Sequence, residues 1–311
     1  MTFRESYGAG AGEFLAANPE PGWEYNALRW FEKQGYDATY CTSVDTHSGA
    51  LTNKSVKAFV SVGHDEYWSY EARAKVEADR DRTNSPINLI FLGSNICFWR
   101  VHYDTNDLRS FFCDKDGDAD KWRGATQSNH EVSLMGVEYI YNSIYPPGNL
   151  TVTHPSGGHW AFDYTGIAAG TNQVLSGLLG YEVDGAWEGG WCGNPFGVDS
   201  TAPNWGTNLF STIKIGDSPF SVTNNVTNIC TAGHSYVTLY TATNGPSSGS
   251  HAQVFATGSM DWNYGLDDYG YYSNHAWHPG EFPSSLTNST ARQITHNIIR
   301  KFTGNSTSAL P

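Results

Sequence analysis

Apolar positions along this chain recur with two periods, and their order is the first clue to its architecture. Trp23, Ala27, Trp30 and Phe31 fall on one side of a 3.6-residue repeat, so Glu13–Gln34 reads as a helix. It starts in earnest after Pro21, and Gly35 ends it. Tyr36–Val44 (YDATYCTSV) has the β-branched and aromatic content of a strand. Lys57–Gly63 (KAFVSVG) and Asn88–Gly93 (NLIFLG) are nearly continuous apolar runs, as strands buried on both faces require. Between them Ser69–Arg82 is a charged helix that Ser69 can cap.

From about Asp104 the character changes. An acidic loop, Asp114–Asp120, is followed by Thr-, Tyr- and Gly-rich runs with no amphipathic helix up to about Ser250. The earlier style returns in Ala252–Gly258 (AQVFATG), a strand, and Ser289–Phe302, a helix with Ile294, Ile298 and Phe302 on one face. These elements predict an α/β fold: a doubly wound, mostly parallel sheet with a long β-rich insertion. The α/β domain spans 1–103 and 251–311, the β-rich or irregular insertion 104–250, and Asn305–Pro311 reads as a disordered tail.

Charge narrows the partners. There are 31 Asp+Glu against 18 Lys+Arg, a formal net charge of −13, which argues against nucleic acid or an anionic membrane surface. No apolar run approaches the roughly 18 residues of a membrane span. Aromatic residues reach 14%, which argues against disorder and suits either a ring-rich core or a sugar-binding surface. The five cysteines (41, 97, 113, 192 and 230) include no C-x-x-C pair, so a zinc site is not indicated; a Cys192–Cys230 disulfide is one option. Met1–Gly12 does not read as a signal peptide. Its first residues resemble the inside of a strand or turn, so a start further upstream is expected and a cytoplasmic location is slightly favoured.

Ligands of open α/β sheets bind beyond the carboxyl ends of the strands, and three strand ends here carry unusual residues. The first, Gly63-His64-Asp65-Glu66-Tyr67-Trp68-Ser69, offers His64 and Glu66 as proton carriers and Tyr67 as a donor or ligand. A bland alternative is a capping turn in which Trp68 packs. The second, Gly93-Ser94-Asn95-Ile96-Cys97, lacks a G-x-S-x-G nucleophile elbow, which disfavours a covalent Ser or Cys; Asn95 is left as a ligand-orienting group. The third, Gly258–Tyr269, competes with a Gly-rich surface turn. In Tyr181-Glu182-Val183-Asp184, Glu182 could face a cleft but reads more naturally as an exposed strand residue. The D-x-D-x-D of 114–118 does not complete a calcium loop, since its sixth and twelfth positions are Ala119 and Ala125.

Taken together, GYDATYCTSVDTH, KAFVSVGHDEYWS, NLIFLGSNICFWRV and VFATGSMDWNYGLDD resemble the C-terminal domain of the N,N-dimethylformamidase large (beta) subunit. The likeness covers roughly 2–103 and 250–303, with weaker echoes at SLMGVEY and GLLGYEVDG. It implies a fold like class I glutamine amidotransferases and hydrolysis of small N-substituted formamides. It further implies a mononuclear iron held by two tyrosines and a glutamate. Tyr67 matches the tyrosine of the family's H-P-E-Y-W motif, with His64-Asp65 in place of His-Pro. Tyr25 lies at about the right distance upstream for the second tyrosine. The glutamate has no counterpart before Lys121-Trp122-Arg123, where Asp116 and Asp118 stand instead. Phenolate and carboxylate are hard donors suited to iron.

Three readings follow. The first is a metal-dependent hydrolase, iron being the expected metal, of amide C–N bonds in small molecules. It would use His64, Glu66 and Asn95 in catalysis and Tyr67 and Tyr25 as metal ligands, in an aromatic-walled cleft. The second is a non-catalytic carbohydrate- or ligand-binding protein; the third is a carboxylate-pair glycosidase using Glu66 and Glu182. The expected partner is a small-molecule substrate, without nucleic acid or membrane, and a homo-oligomer is compatible with it.

Overall fold

The three apolar runs form strands that lie side by side. The computed structural model describes residues 23–49, 55–116, 119–123, 130–141, 144, 147–180, 182–185, 213–221, 232–242, 251–267, 269 and 286–311. β1 (Ala58–Gly63), β3 (Asn88–Gly93) and β12 (Gln253–Ala256) pair in parallel, with Gly63 opposite Gly93. Side chains alternate between the two faces, as strand geometry dictates. Ile90, Leu92 and Phe255 enter one core, and Leu89, Phe91, Val254 and Ala256 the other.

Each core is closed by helices. α1 (Tyr25–Gln34) brings Ala27, Trp30 and Phe31 to the first face. α5 (Trp262–Leu266) adds Trp262 and Leu266, and α6 (Ser289–Phe302) adds Ile294, Ile298 and Phe302. The second face is covered by α3 (Tyr70–Arg80) through Ala72 and Val76, and by α4 (Val132–Met135) through Leu134 and Met135. Burying one such large apolar side chain is worth about 1.5–3 kcal/mol. The expected helix boundaries hold at Gly35 (φ +68°), at Ser69, whose hydroxyl accepts from Ala72 N at 3.1 Å, and over the whole of α6.

β7 (Gly148–Thr153), β8 (Asn172–Leu179), β10 (Ile213–Ser221) and β11 (Ala232–Thr241) continue this sheet in the order β1-β3-β12-β11-β10-β7-β8. Every pairing from β12 outward is antiparallel. The sheet is therefore mixed: an α/β fold whose parallel part is confined to three strands. The short β2 (Tyr67–Ser69), β4 (Trp99–Tyr103) and β5 (Phe111–Phe112) form a second sheet, and β6 (Glu138–Tyr141) with β9 (Val183–Gly185) a third. Among the described residues no helix is long and apolar enough to cross a membrane.

Two expectations are corrected. Residues 36–42 are irregular and Ser43–Ser48 forms a helix, α2, in place of a strand. The Thr42 hydroxyl accepts from Asp45 N, and Asp45 accepts from Thr42 N, a capping box that outweighs β propensity. The 305–311 tail is held, not disordered. Ser308 O accepts from Gln293 Nε2 at 2.7 Å, Leu310 N donates to Gln293 Oε1 at 3.0 Å, and Leu310 packs on the first core. Residues 13–22, Cys192 and Cys230 lie outside the described residues; Cys41, Cys97 and Cys113 are free thiols.

Candidate functional site

The three parallel strands end in a crowded rim. Gly63 turns at φ +75°, and a Cβ on Gly93 would lie 2.2 Å from the Gly63 carbonyl oxygen, so these ends approach only as glycines. Cys97 N donates to Asp65 O and Phe98 N to Glu66 O, each at 2.9 Å, tying the first strand end to the second. Gly93 N donates to Thr257 Oγ1 at 3.0 Å, tying the second to the third.

On this rim His64 meets two carboxylates. Its Nε2 lies 2.9 Å from Glu182 Oε2, off hydrogen-bond alignment, and 3.8 Å from Glu66 Oε2. Both glutamates are buried. Glu182 comes from the turn between β8 and β9 and was expected as an exposed strand residue; the Glu138–Gly185 and Tyr139–Asp184 pairings carry it inward. A third carboxylate, Glu24 before α1, accepts from His64 N at 3.3 Å, and burial raises its pKa. The ring of Trp23 lies 5.8 Å from that of His64. Asp65 is occupied structurally, accepting from Ser61 Oγ at 2.7 Å.

Asn95 sits in the left-handed region (φ +54°), where Asn is tolerated. Its N–H donates to Asp184 Oδ1 at 2.9 Å, and Ser94 Oγ donates to the same oxygen at 2.6 Å. Burial pushes the Asp184 carboxyl up to about 7; these two donors pull it down, and the charges of Glu131 and Glu182 push it further up. The Asn95 side chain is buried, and its Oδ1 has no hydrogen-bond partner. Burial also raises the pKa of the Cys97 thiol, a poor setting for a nucleophile and in keeping with the missing elbow.

The proposed metal ligands are differently engaged. The Tyr67 hydroxyl accepts from Lys115 Nζ at 2.6 Å. The Tyr25 ring packs edge-on against Tyr269, 5.6 Å away. Among the described residues no group of three or more His, Cys, Asp or Glu side chains is placed to hold a metal ion. Tyr67 and Tyr25 are the residues that the family resemblance would give to iron, and their neighbours here are Lys115 and Tyr269. In the acidic loop Asp120 accepts from Arg100 Nη2 at 2.9 Å, pairs with His102 Nε2 at 2.8 Å and accepts from Asp114 N at 2.7 Å. Asp118 lies outside the described residues.

The third strand end is buried rather than a surface turn: Trp262, Tyr264 and Leu266 pack in the first core. Asn263 Nδ2 donates to Trp23 O at 2.8 Å and Leu92 O at 2.9 Å, joining α1 to β3. Most described rings of the strand-end motifs are likewise core: Trp68, Phe98, Trp99 and Trp262 are all buried. Trp23, Tyr25 and Tyr67 are the partly open rings beside the rim. Glu24 and Asp184 were missed. Neither stands in a local motif, and alternation of acid with apolar in Glu182-Val183-Asp184 was the one available hint.

No curated protein matches the sequence. A family model described as N,N-dimethylformamidase beta subunit-like, C-terminal, matches residues 1–276. That span holds the three strand ends, His64, Glu66, Asn95 and Glu182, and the chain belongs to the N,N-dimethylformamidase beta subunit-like C-terminal domain family.

Proposed function

We propose that this chain hydrolyses the C–N bond of a small linear amide at the rim formed by β1 and β3. The observation that carries the reading is His64 Nε2 lying 2.9 Å from Glu182 and 3.8 Å from Glu66. Two carboxylates around one imidazole put a base and a proton carrier side by side. In the reaction water adds to the amide carbonyl carbon and the C–N bond breaks. One glutamate takes the proton from water, and His64 Nε2 gives one to the departing nitrogen. The products are a carboxylic acid and an amine. Such proton transfers are worth about 10²–10⁴-fold. Asn95, fixed by Asp184, orients the substrate.

An amidotransferase-like arrangement of the parallel strands and an iron requirement belong to this proposal through the family alone. Iron would polarise the amide carbonyl. The test is amine release from formamides by the purified chain, with metal content measured in parallel. Turnover lost in His64→Gln and Glu182→Gln supports the reading. A chain that releases no amine, as purified or after iron loading, overturns it. A glycosidase would use the same Glu66 and Glu182; the imidazole in contact with both favours the amide.

A further inference from the structure

Resting on the hydrolase reading, we infer that Trp23 and Asn263 are positioning residues of the reaction. Asn263 fixes the segment before α1 at the strand ends, and Trp23 in that segment sets the plane of the His64 ring. Both glutamates approach His64 at one nitrogen, Nε2. Contacts at one atom do not by themselves fix the plane of a ring; a flat neighbour does. The Trp23 indole is such a neighbour, its centroid 5.8 Å from that of His64 with 33° between the planes. The same short segment also holds the His64 main chain. His64 N donates to Glu24 Oε1 at 3.3 Å, and residue 63 makes room as glycine, since a Cβ there would lie 2.8 Å from that oxygen.

The third strand end holds residues 23 and 24 in turn. Asn263 is fully buried, and its Nδ2 donates to Trp23 O at 2.8 Å and to Leu92 O at 2.9 Å, so one amide spans the start of α1 and the end of β3. The helix that carries it, α5, is itself pinned. Trp262 Nε1 donates to Thr295 Oγ1 of α6 at 3.0 Å, and Asn288 N donates to Gly265 O at 2.9 Å. A continuous packed path therefore runs from α6 through α5 and Asn263 to Trp23 and the imidazole. The motif around Asp261-Trp262-Asn263-Tyr264 acts on the site from behind it. Misplacing a reacting group by about 1 Å can cost about 10²-fold in rate, so a clamp of this kind is read in kcat.

The experiment follows amine release from formamides by the whole chain in Trp23→Leu, Trp23→Phe, Asn263→Ala and the double variant Trp23→Leu/Asn263→Ala, with the melting temperature alongside. Trp23→Leu should lower kcat by up to about 10²-fold with KM unchanged, and Trp23→Phe, which restores a flat ring, should recover most of the loss. Asn263→Ala should show the same split. The double variant should lose little beyond the worse single, because both residues act on one ring. In histidine-labelled NMR, the His64 ring signal, assigned by its loss in His64→Gln, should move in Trp23→Leu and in Asn263→Ala. An unmoved signal, wild-type kcat in Trp23→Leu, or a Trp23→Phe no better than Trp23→Leu overturns the inference. Losses that multiply in the double variant overturn it for Asn263, which then serves the core alone. If the wild-type chain releases no amine, the hydrolase reading fails and the NMR signal alone decides whether these residues set the ring. Should Asn263→Ala not fold, the two Trp23 variants carry the test.

Discussion

Two buried ionic clusters flank Asp184, and they are built on opposite principles. In the first, the Arg123 guanidinium grips Glu131 from two nitrogens, with Nε at 3.0 and 3.2 Å from the two carboxylate oxygens. Its Nη2 donates to Tyr139 O at 2.8 Å, and its plane lies over the Phe98 ring, 5.0 Å from the centroid. Burial pushes the neighbouring Glu138 carboxyl up, but Arg123 and His130 outweigh it and hold the pKa below its ordinary value. In the second cluster the single His64 ring faces Glu66 and Glu182, with Glu24 on its backbone and an unpartnered Asn95 oxygen nearby. The first is organised by a buried guanidinium bonded to Glu131, although Glu138 Oε2 and His130 Nδ1 beside it carry no hydrogen bond. The second sets two carboxylates around one imidazole and contains no guanidinium. A buried guanidinium bonded to a carboxylate holds a fold; an imidazole between two carboxylates is equipped to move a proton.

The contrast breaks first at Arg123. Removing one partner of a buried pair leaves the other uncompensated, so Arg123→Met is expected to destabilise by about 3–5 kcal/mol in denaturant unfolding. Adding Glu131→Leu should recover much of that loss. If the single variant were as stable as wild type, the Arg123 cluster would not be what holds this region.

His64→Gln should do the reverse. Amine release is expected to fall by about 10²–10⁴-fold, while the unfolding midpoint moves little, because the ring's carboxylate neighbours are not matched to it alone. A large loss of stability with activity retained would reverse the roles of the two clusters.

Sequence reading found the parallel strands and α1, α3 and α6 because periodicity is a local signal and their faces are simple. It failed at 36–44, where Thr42 and Asp45 form a cap that aromatic and β-branched neighbours conceal. Of the site, His64, Glu66 and Asn95 were legible because they follow apolar runs directly. Glu182 and Asp184 arrive from more than 80 residues further along the chain through the β6–β9 pairing, and no local pattern announces that contact. Tyr67 was legible as a motif residue, but its partner Lys115 was not, because that contact spans 48 residues.

Asp184 joins the clusters, and its titration tests the join. Its folded pKa, about 7, is far above the ordinary 3.8, so the native state holds a proton that the unfolded chain releases. Its contribution is therefore fully present below about pH 4 and lost as pH rises through about 7. The slope is at most about 1.4 kcal/mol per pH unit between. Asp184→Asn keeps an oxygen for Ser94 and Asn95 and should flatten the fall in stability between pH 5 and 7, measured by chemical denaturation. An unchanged slope would assign the pH dependence elsewhere, Glu24 being the next buried carboxyl raised in the same way.

The smallest effect is expected at Lys115, whose exposed side chain donates to Tyr67 and lies over the Tyr67 ring, 4.9 Å from its centroid. An exposed cation–π contact is worth about 0.5–1 kcal/mol, so Lys115→Met should barely move the melting temperature. Its value lies in iron uptake. If the Tyr67 oxygen were a metal donor, the ammonium would compete with the ion for it, and removing Lys115 should tighten iron binding while Tyr67→Phe weakens it. If Tyr67 belongs to the structural edge of the rim, iron content is the same in wild type, Lys115→Met and Tyr67→Phe. Equal iron content, with amide turnover retained in both variants, would place the chemistry on His64 and its glutamates and leave Tyr67 outside it.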